Sequence, residues 1–372
     1  MATTPPAGFL DAASGQPLNP AAAQAWAAAA DAGWADPARL YREGRRAALL
    51  AEAARESIAS RIGARPDEVL LTGVGALGLA VRRLLALAPG PVRLVCSAVE
   101  HSSVLAEADQ LVGRGGTAEI VGVDRTARVD AQAYAAALPG ASLAVLQVAN
   151  HEVGTRQPVG EVAAACRGAG VPLLLDATLA LGRVDPPVGW SVLVGRAATW
   201  GGPPGIGVVA VRRDLHLPPL DLPGAALPLA LAAARGLEWA DEHRVADIAS
   251  ARASTDRIRA AATQVPDVVL LGSDDRLEYL TAFSCLFVDG EALVHGLDRA
   301  GYAISSGSSC VSDLRRPSHV LTAMGVLTQG NVRVSLPFGV TDATIDGFIE
   351  ALPATVAEVR AMLGVDDLGP DA

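Results

Sequence analysis

Short apolar runs alternate with Ala- and Leu-rich stretches of helical spacing over the first two-thirds of the chain. EVLLTG (68–73) precedes LGLAVRRLLALA (77–88), VRLVCSAV (92–99) precedes VLAEADQLVGR (104–114), and LAVLQVAN (143–150) precedes GEVAAACRGAG (160–170). PLLLDA (172–177), WSVLVG (190–195) and GVVAVRR (207–213) follow as further strand-like runs. Strands this continuously apolar are buried on both faces, and their alternation with helices predicts an α/β unit with a mainly parallel sheet covered on both sides. The Pro- and Gly-rich stretch HLPPLDLPGAALP (216–228) closes that part, and a long Ala- and Arg-rich helix is predicted from about Leu229 to Ala262. The remainder mixes strands (TAFSCLFVDG, AISSG, NVRVSLPFG) with helices (ALVHGLDRAG and a last one from about Asp342), which predicts a smaller α+β unit. No internal repeat or low-complexity linker interrupts the pattern.

Composition narrows the class. The chain has 372 residues, 51% hydrophobic and 19% charged, enough for one large core or two ordinary ones. Mean hydropathy is high at +0.32, but no apolar stretch reaches the roughly 20 residues that span a bilayer. The opening MATTPPAGFLDAASG lacks the basic and apolar regions of a signal peptide, so a cytoplasmic location is expected. A net charge of −10 argues against a nucleic-acid footprint, which needs clustered basic surface.

Candidate chemistry is sparse. The four cysteines and six histidines show no metal-ligand spacing, and no GxSxG nucleophile elbow occurs, so neither a metal site nor a serine triad is expected. Cys96, Cys166 and Cys285 sit in apolar runs and read as buried thiols. Cys310 lies in the polar stretch SSGSSCVSD, where Arg315 and Arg316 stand near enough in sequence to favour its thiolate. Lys and Arg together number 30, and all 30 are arginine: the chain has no lysine. TGVGALG sets Gly73, Gly75 and Gly78 between a strand and a helix, the context of a dinucleotide fingerprint, with Glu100 roughly where a ribose-binding acid belongs. Backbone amides there can hold a phosphate without any side chain.

From about Phe9 to Leu352 the motifs resemble, in order and spacing, those of the cysteine desulfurases of the class V aminotransferase family. FLDAASGQPLNP resembles the family's opening, EHSSVLAEADQL the segment with a histidine stacked on pyridoxal phosphate (PLP), ANHEVGTRQPV the Asn-Asn-Glu turn, and LLLDATLALGRV the aspartate strand. GGPPGIGVVAVRR resembles the segment after the Schiff-base lysine, SSGSSCVSDLRRPSHVLTAMG the loop of the nucleophilic cysteine, and NVRVSLPFG the segment whose arginine grips the substrate carboxylate. The resemblance implies a PLP-transferase type I fold with a mostly parallel seven-stranded sheet. It implies a large domain over 13–235, a small one from 1–12 and 236–372, and a homodimer. It assigns His101 to stacking, Asp176 to the ring nitrogen, Cys310 to sulfur chemistry and Arg333 to a carboxylate, with Asn150 and His151 in the ligand pocket.

The same resemblance exposes departures. The family's histidine-lysine pair falls on Ala198 and Thr199, and a threonine forms no aldimine. The phosphate-binding threonine falls on Ala76, the glutamine at the PLP hydroxyl on Leu179, the second asparagine of the turn on His151, and a neighbouring subunit's phosphate-binding threonine near Ala226. No covalently bound cofactor is therefore expected, and Asp176 is expected to be protonated or re-paired with His101, His151 or a ligand cation. Three functions stay open. The first is a degenerate desulfurase homologue serving as partner, scaffold or persulfide relay through Cys310, alongside an active desulfurase or a sulfur acceptor. The second is an enzyme using the remodelled pocket without PLP. The third is a dinucleotide- or phosphate-ligand-binding protein using the Gly73–Gly78 loop.

Overall fold

The computed structural model describes residues 5–215, 220–306 and 317–364. Its larger sheet has seven strands: β1 (Val69–Thr72), β2 (Arg93–Ser97), β3 (Thr117–Val121), β4 (Leu143–Gln147), β5 (Leu173–Asp176), β6 (Val192–Arg196) and β7 (Gly207–Val211). The order across the sheet is β1-β7-β6-β5-β4-β2-β3, with β7 antiparallel to both neighbours and the other pairings parallel. Every residue of β4 is buried, as a strand covered on two faces requires. The mostly parallel sheet expected from the sequence is the observed one.

Helices α3 (Ala76–Leu87), α4 (Ser102–Gly113), α5 (Ala131–Ala137) and α6 (Val159–Ala169) connect the strands. On one face, α3 and α4 pack Val81, Leu84 and Val104 against Leu94, Cys96, Val145 and Val194. The other face carries Leu146, Leu175, Leu193 and Val208 into the main core. Two helices that the strand–helix alternation does not predict, α1 (Pro20–Ala32) and α2 (Arg42–Ile62), precede the sheet and pack on α7 (Leu227–Ala262). The α2 helix stops at Gly63, whose φ of 64° is left-handed and suits a residue without a Cβ.

The second sheet is antiparallel, in the order β10 (Asn331–Ser335), β9 (Leu280–Cys285), β8 (Val268–Leu271). It packs with α8 (Gly290–Arg299) and α10 (Asp342–Met362), and the short α9 (His319–Met324) lies beside it. The α7 helix runs unbroken through Arg235 and Gly236. Segment 9–12 lies along the second sheet: Leu10 N donates to Ala303 O, and Ala12 N and Ser335 N bond Ser335 O and Leu10 O, at 2.8–2.9 Å. Leu10 is fully buried there, which contributes about 1.5–3 kcal/mol of apolar transfer and pins the segment.

This topology corrects the dinucleotide reading. A dinucleotide fingerprint follows a central parallel strand, whereas β1 is an edge strand antiparallel to β7. Glu100, the supposed ribose ligand, is fully buried and accepts from Ser97 Oγ and Gln147 N at 2.8 and 3.1 Å.

Candidate active-site pocket

The C-terminal ends of β1, β2, β4, β5 and β6 point to one side of the sheet, where open α/β sheets place their ligand crevice. A cavity of about 590 Å³ opens there between the two sheets. It is lined by the loop after β1 (Gly73, Val74, Gly75), the first turn of α3 (Ala76, Leu77), His101 after β2, His151 after β4, and Asp176 and Arg196 ending β5 and β6. Asp11, Ser14 and Arg333 close it from the second sheet's side, and Leu179, Val194 and Ile206 give it apolar walls.

His101 caps α4, its Nδ1 accepting from Ser103 N at 3.2 Å. Its ring centroid lies 5.5 Å from that of His151, which in turn lies 6.0 Å from His319. Burial lowers the pKa of both His101 and His151; Asp176 opposes this at His101, while Arg333 adds to it at His151. Both rings are thus held neutral near pH 7. Behind them, burial raises Glu100 to about 8 and Glu152 to about 7. Ser318 Oγ donates to Glu152 at 2.6 Å, and His319 Nε2 lies 2.8 Å from Glu100 O. Among the described residues, no cluster of His, Cys, Asp and Glu is arranged to hold a metal ion.

Asp176 is half-buried at the cavity wall, its Oδ1 accepting from Thr178 N at 2.9 Å. Arg196 is the cavity cation its charge acts on, through space. Arg196 is a neighbour that the sequence reading does not include. A signal for it existed: a charged residue closing a buried strand at the sheet's ligand-binding edge. Arg333 is buried, with Nη2 donating to Asp11 Oδ1 and Ser14 Oγ and Nη1 to His151 O, each at 2.8 Å.

Three expected pocket residues stand elsewhere. Asn150 is fully buried and shapes its own turn: Oδ1 accepts from Glu152 N and Val153 N at 2.9 Å, and Nδ2 donates to Val99 O at 3.2 Å. Thr199 lies behind the wall, its single Oγ1 hydrogen shared between Thr178 O at 2.5 Å and Arg196 O at 2.7 Å. Gly78 faces α4, where an added Cβ would meet Ser103 Cβ in an ordinary contact of 3.4 Å, and it does not line the cavity. Gly75, with φ of 78°, does shape the cavity rim. Cys310, Arg315 and Arg316 lie outside the described residues. Cys96, Cys166 and Cys285 are buried, as expected, and burial pushes all three thiols up.

An aldehyde cofactor held as PLP is held needs a side-chain amine at the wall and hydrogen-bond donors at its phosphate and hydroxyl. The wall offers Asp176 and His101, but the chain has no lysine to form the aldimine, and Ala76 and Leu179 line the cavity with hydrocarbon side chains. The residues present do not fit a covalently held PLP.

The chain matches the Aminotransferase class-V family over residues 9–229 and 225–348. It is 33% identical to an IscS-like cysteine desulfurase of Mycobacterium tuberculosis, across 95% of this chain and 97% of the relative. It is 35% identical to a cysteine desulfurase of Cereibacter sphaeroides, with the same coverage of 95% and 97%. A solved NifS-like protein superposes with a TM-score of 0.85 at 20% identity, covering 94% of this chain and 99% of the other, which is a likeness of fold.

Proposed function

The chain belongs to the aminotransferase class-V family and is cysteine desulfurase-like, and from that premise we propose that it has given up covalent PLP chemistry and serves sulfur transfer as a partner of a lysine-bearing desulfurase. One observation carries this reading. The resemblance sets Thr199 at the Schiff-base position, and its hydroxyl is buried and committed to two carbonyls, Thr178 O and Arg196 O, in a chain with no lysine. Without an aldimine the electron sink that cleaves a carbon–sulfur bond has no anchor.

In this role Cys310 receives sulfur and does not generate it. Its thiolate attacks the outer sulfur of the donor's persulfide; the new bond to Cys310 forms as the donor's S–S bond breaks, and the donor leaves as a thiolate. The persulfide proton travels with the transferred sulfur, and no net oxidation occurs. A homodimer in the cytoplasm belongs to the same reading, supported by the family resemblance; among the described residues no helix is long and apolar enough to cross a membrane.

The test uses the purified full chain. It should be colourless, borohydride should fix no PLP on it, and it should not release alanine from cysteine. Incubation with an active desulfurase and ³⁵S-cysteine should label the wild type and leave Cys310→Ser unlabelled. Turnover of cysteine by the isolated chain would overturn the loss of catalysis, and equal labelling of both forms would overturn the relay.

A further inference from the structure

Two turns at the cavity end of the larger sheet are built alike. The turn after β2 carries Glu100 and His101, and the turn after β4 carries His151 and Glu152. In each, the histidine lines the cavity and the neighbouring glutamate is buried behind it. One helix is seated on both turns. Ser318 Oγ, capping α9, donates to Glu152 Oε2 at 2.6 Å, and His319 Nε2 donates to Glu100 O at 2.8 Å. Val320, Leu321 and Met324 of the helix join a small core with Val99 and Val153, one residue from each turn. The α9 helix is also the first described element after Cys310 in the chain.

Where the family's turn has its second asparagine, this chain has His151, and the exchange puts a titratable ring beside a buried carboxyl. His151 Nε2 lies 3.8 Å from Glu152 Oε1, with 12% of the His151 side chain exposed and 3% of the Glu152 side chain. The α9 helix completes the enclosure: Ser318 covers Glu152, and the His319 ring centroid stands 6.0 Å from that of His151. Three other charged or titratable groups face the pair. They are His101 beside His151, Arg333 on β10, whose Nη1 donates to His151 O, and Glu100, whose carbonyl holds His319.

Burial acts on the two side chains in opposite senses. It keeps Glu152 protonated up to about pH 7, where water would release that proton near 4.5. It keeps His151 neutral well below 6.5, where water would protonate it. Seating α9 thus retains a proton on Glu152 and displaces one from His151. Glu152 by itself weakens the seat as pH rises from about 4.5 to about 7, and His151 by itself weakens it as pH falls below 6.5. Between about 4.5 and 6.5 the enclosed pair and the released pair each hold one proton, so the two slopes cancel. We propose that His151 and Glu152 are a compensating proton pair, which keeps α9 seated on the cavity wall across mildly acidic and neutral pH and ties the protonation of a cavity-lining histidine to the seat of that helix.

The experiment is amide hydrogen exchange of the full chain, followed by mass spectrometry on the peptide covering α9 from about pH 5 to about pH 6.5 and corrected for the intrinsic pH dependence of exchange. Leu321 N and Thr322 N, bonded to Ser318 Oγ and Ser318 O, report the seat. Wild type is compared with His151→Asn, Glu152→Gln and the double variant; glutamine keeps an oxygen for Ser318, and all other titratable groups are common to the four proteins. Relative to the double variant, opening of α9 should increase about tenfold across this range in His151→Asn and decrease about tenfold in Glu152→Gln, while wild type stays within about twofold. Slopes of one sign in both single variants, slopes below about threefold, or a wild type that follows either variant would overturn the proposal. If a variant fails to fold, wild type decides. Nuclear magnetic resonance near pH 5.5, on protein labelled with ¹⁵N-histidine and ¹³C-glutamate, should find one proton on the pair, and two protons or none would overturn it.

Discussion

Arg333 and Asp11 are joined across the cavity mouth by an ion pair of 2.8 Å that ties the N-terminal segment to β10. Asp11 neutralises a guanidinium of which only 5% of the side chain is exposed, so removing it strands a buried charge. Asp11→Ala should lower stability by roughly 3–5 kcal/mol, read as a lower urea midpoint with unchanged slope. A loss below about 1 kcal/mol would mean that Arg333 finds solvent as easily as it finds Asp11.

Thr199 offers a second test in the same wall. Its single hydroxyl hydrogen is shared between two backbone carbonyls, and valine keeps the branching at Cβ while deleting that donor. Thr199→Val should cost about 1–3 kcal/mol, the penalty for leaving buried carbonyls short of a partner. Urea denaturation of wild type and variant side by side checks this.

Much of this molecule was legible in its sequence because burial writes itself into strands. The runs that became β1, β2, β4, β5, β6 and β7 are apolar along their length, and each is found where its pattern predicts. The edge strand β3, TAEIV, lies mostly exposed and carries neither a continuous apolar run nor strict alternation, so periodicity passes over it. The helices α1 and α2 pair with α7, a contact between segments some 200 positions apart that no local pattern reports. The site divides in the same way. Asp176, His101 and Arg333 carry the family's motifs and meet in one cavity. Arg196 belongs to no motif, and only the sheet register brings it beside them. Asn150 and Thr199 keep polar side chains at motif positions, yet those groups close local turns and not a ligand shell.

The buried carboxylate of Glu100 sets a pH dependence with a definite sign. Burial raises its pKa from the ordinary 4.5 to about 8, so between those values the folded chain holds a proton that the unfolded chain has released. Its contribution to stability therefore falls as pH rises from about 4.5 to about 8 and is constant outside that window. Glu100→Gln keeps an oxygen for Ser97 and Gln147 and removes the titration. The stability of this variant relative to wild type should climb across the window by a few kcal/mol in order of magnitude. A pH-independent difference between the two proteins would place the proton elsewhere.

The guanidinium of Arg183 lies between two rings, 4.0 Å from the centroid of Tyr279 and 4.1 Å from that of Phe338. It joins the loop after β5 to segments flanking the second sheet, and it donates from Nη2 to Leu336 O at 2.7 Å. Asp247 on α7 stands 3.6 Å away and supplies the countercharge, while burial raises the pKa of that carboxyl. Planarity is what the site uses: a flat cation can face two rings and still reach a carbonyl at its edge, whereas an ammonium meets the rings as a point charge. Arg183→Lys should therefore recover only part of the roughly 3–5 kcal/mol that Arg183→Ala loses on leaving the Asp247 carboxylate without its cation. The tyrosine signal in near-ultraviolet circular dichroism should weaken in both variants, since Tyr279 loses the partner that fixes its ring. Equal stability of the lysine variant and the wild type would show that charge alone holds this joint, and that the two rings serve only as apolar filler.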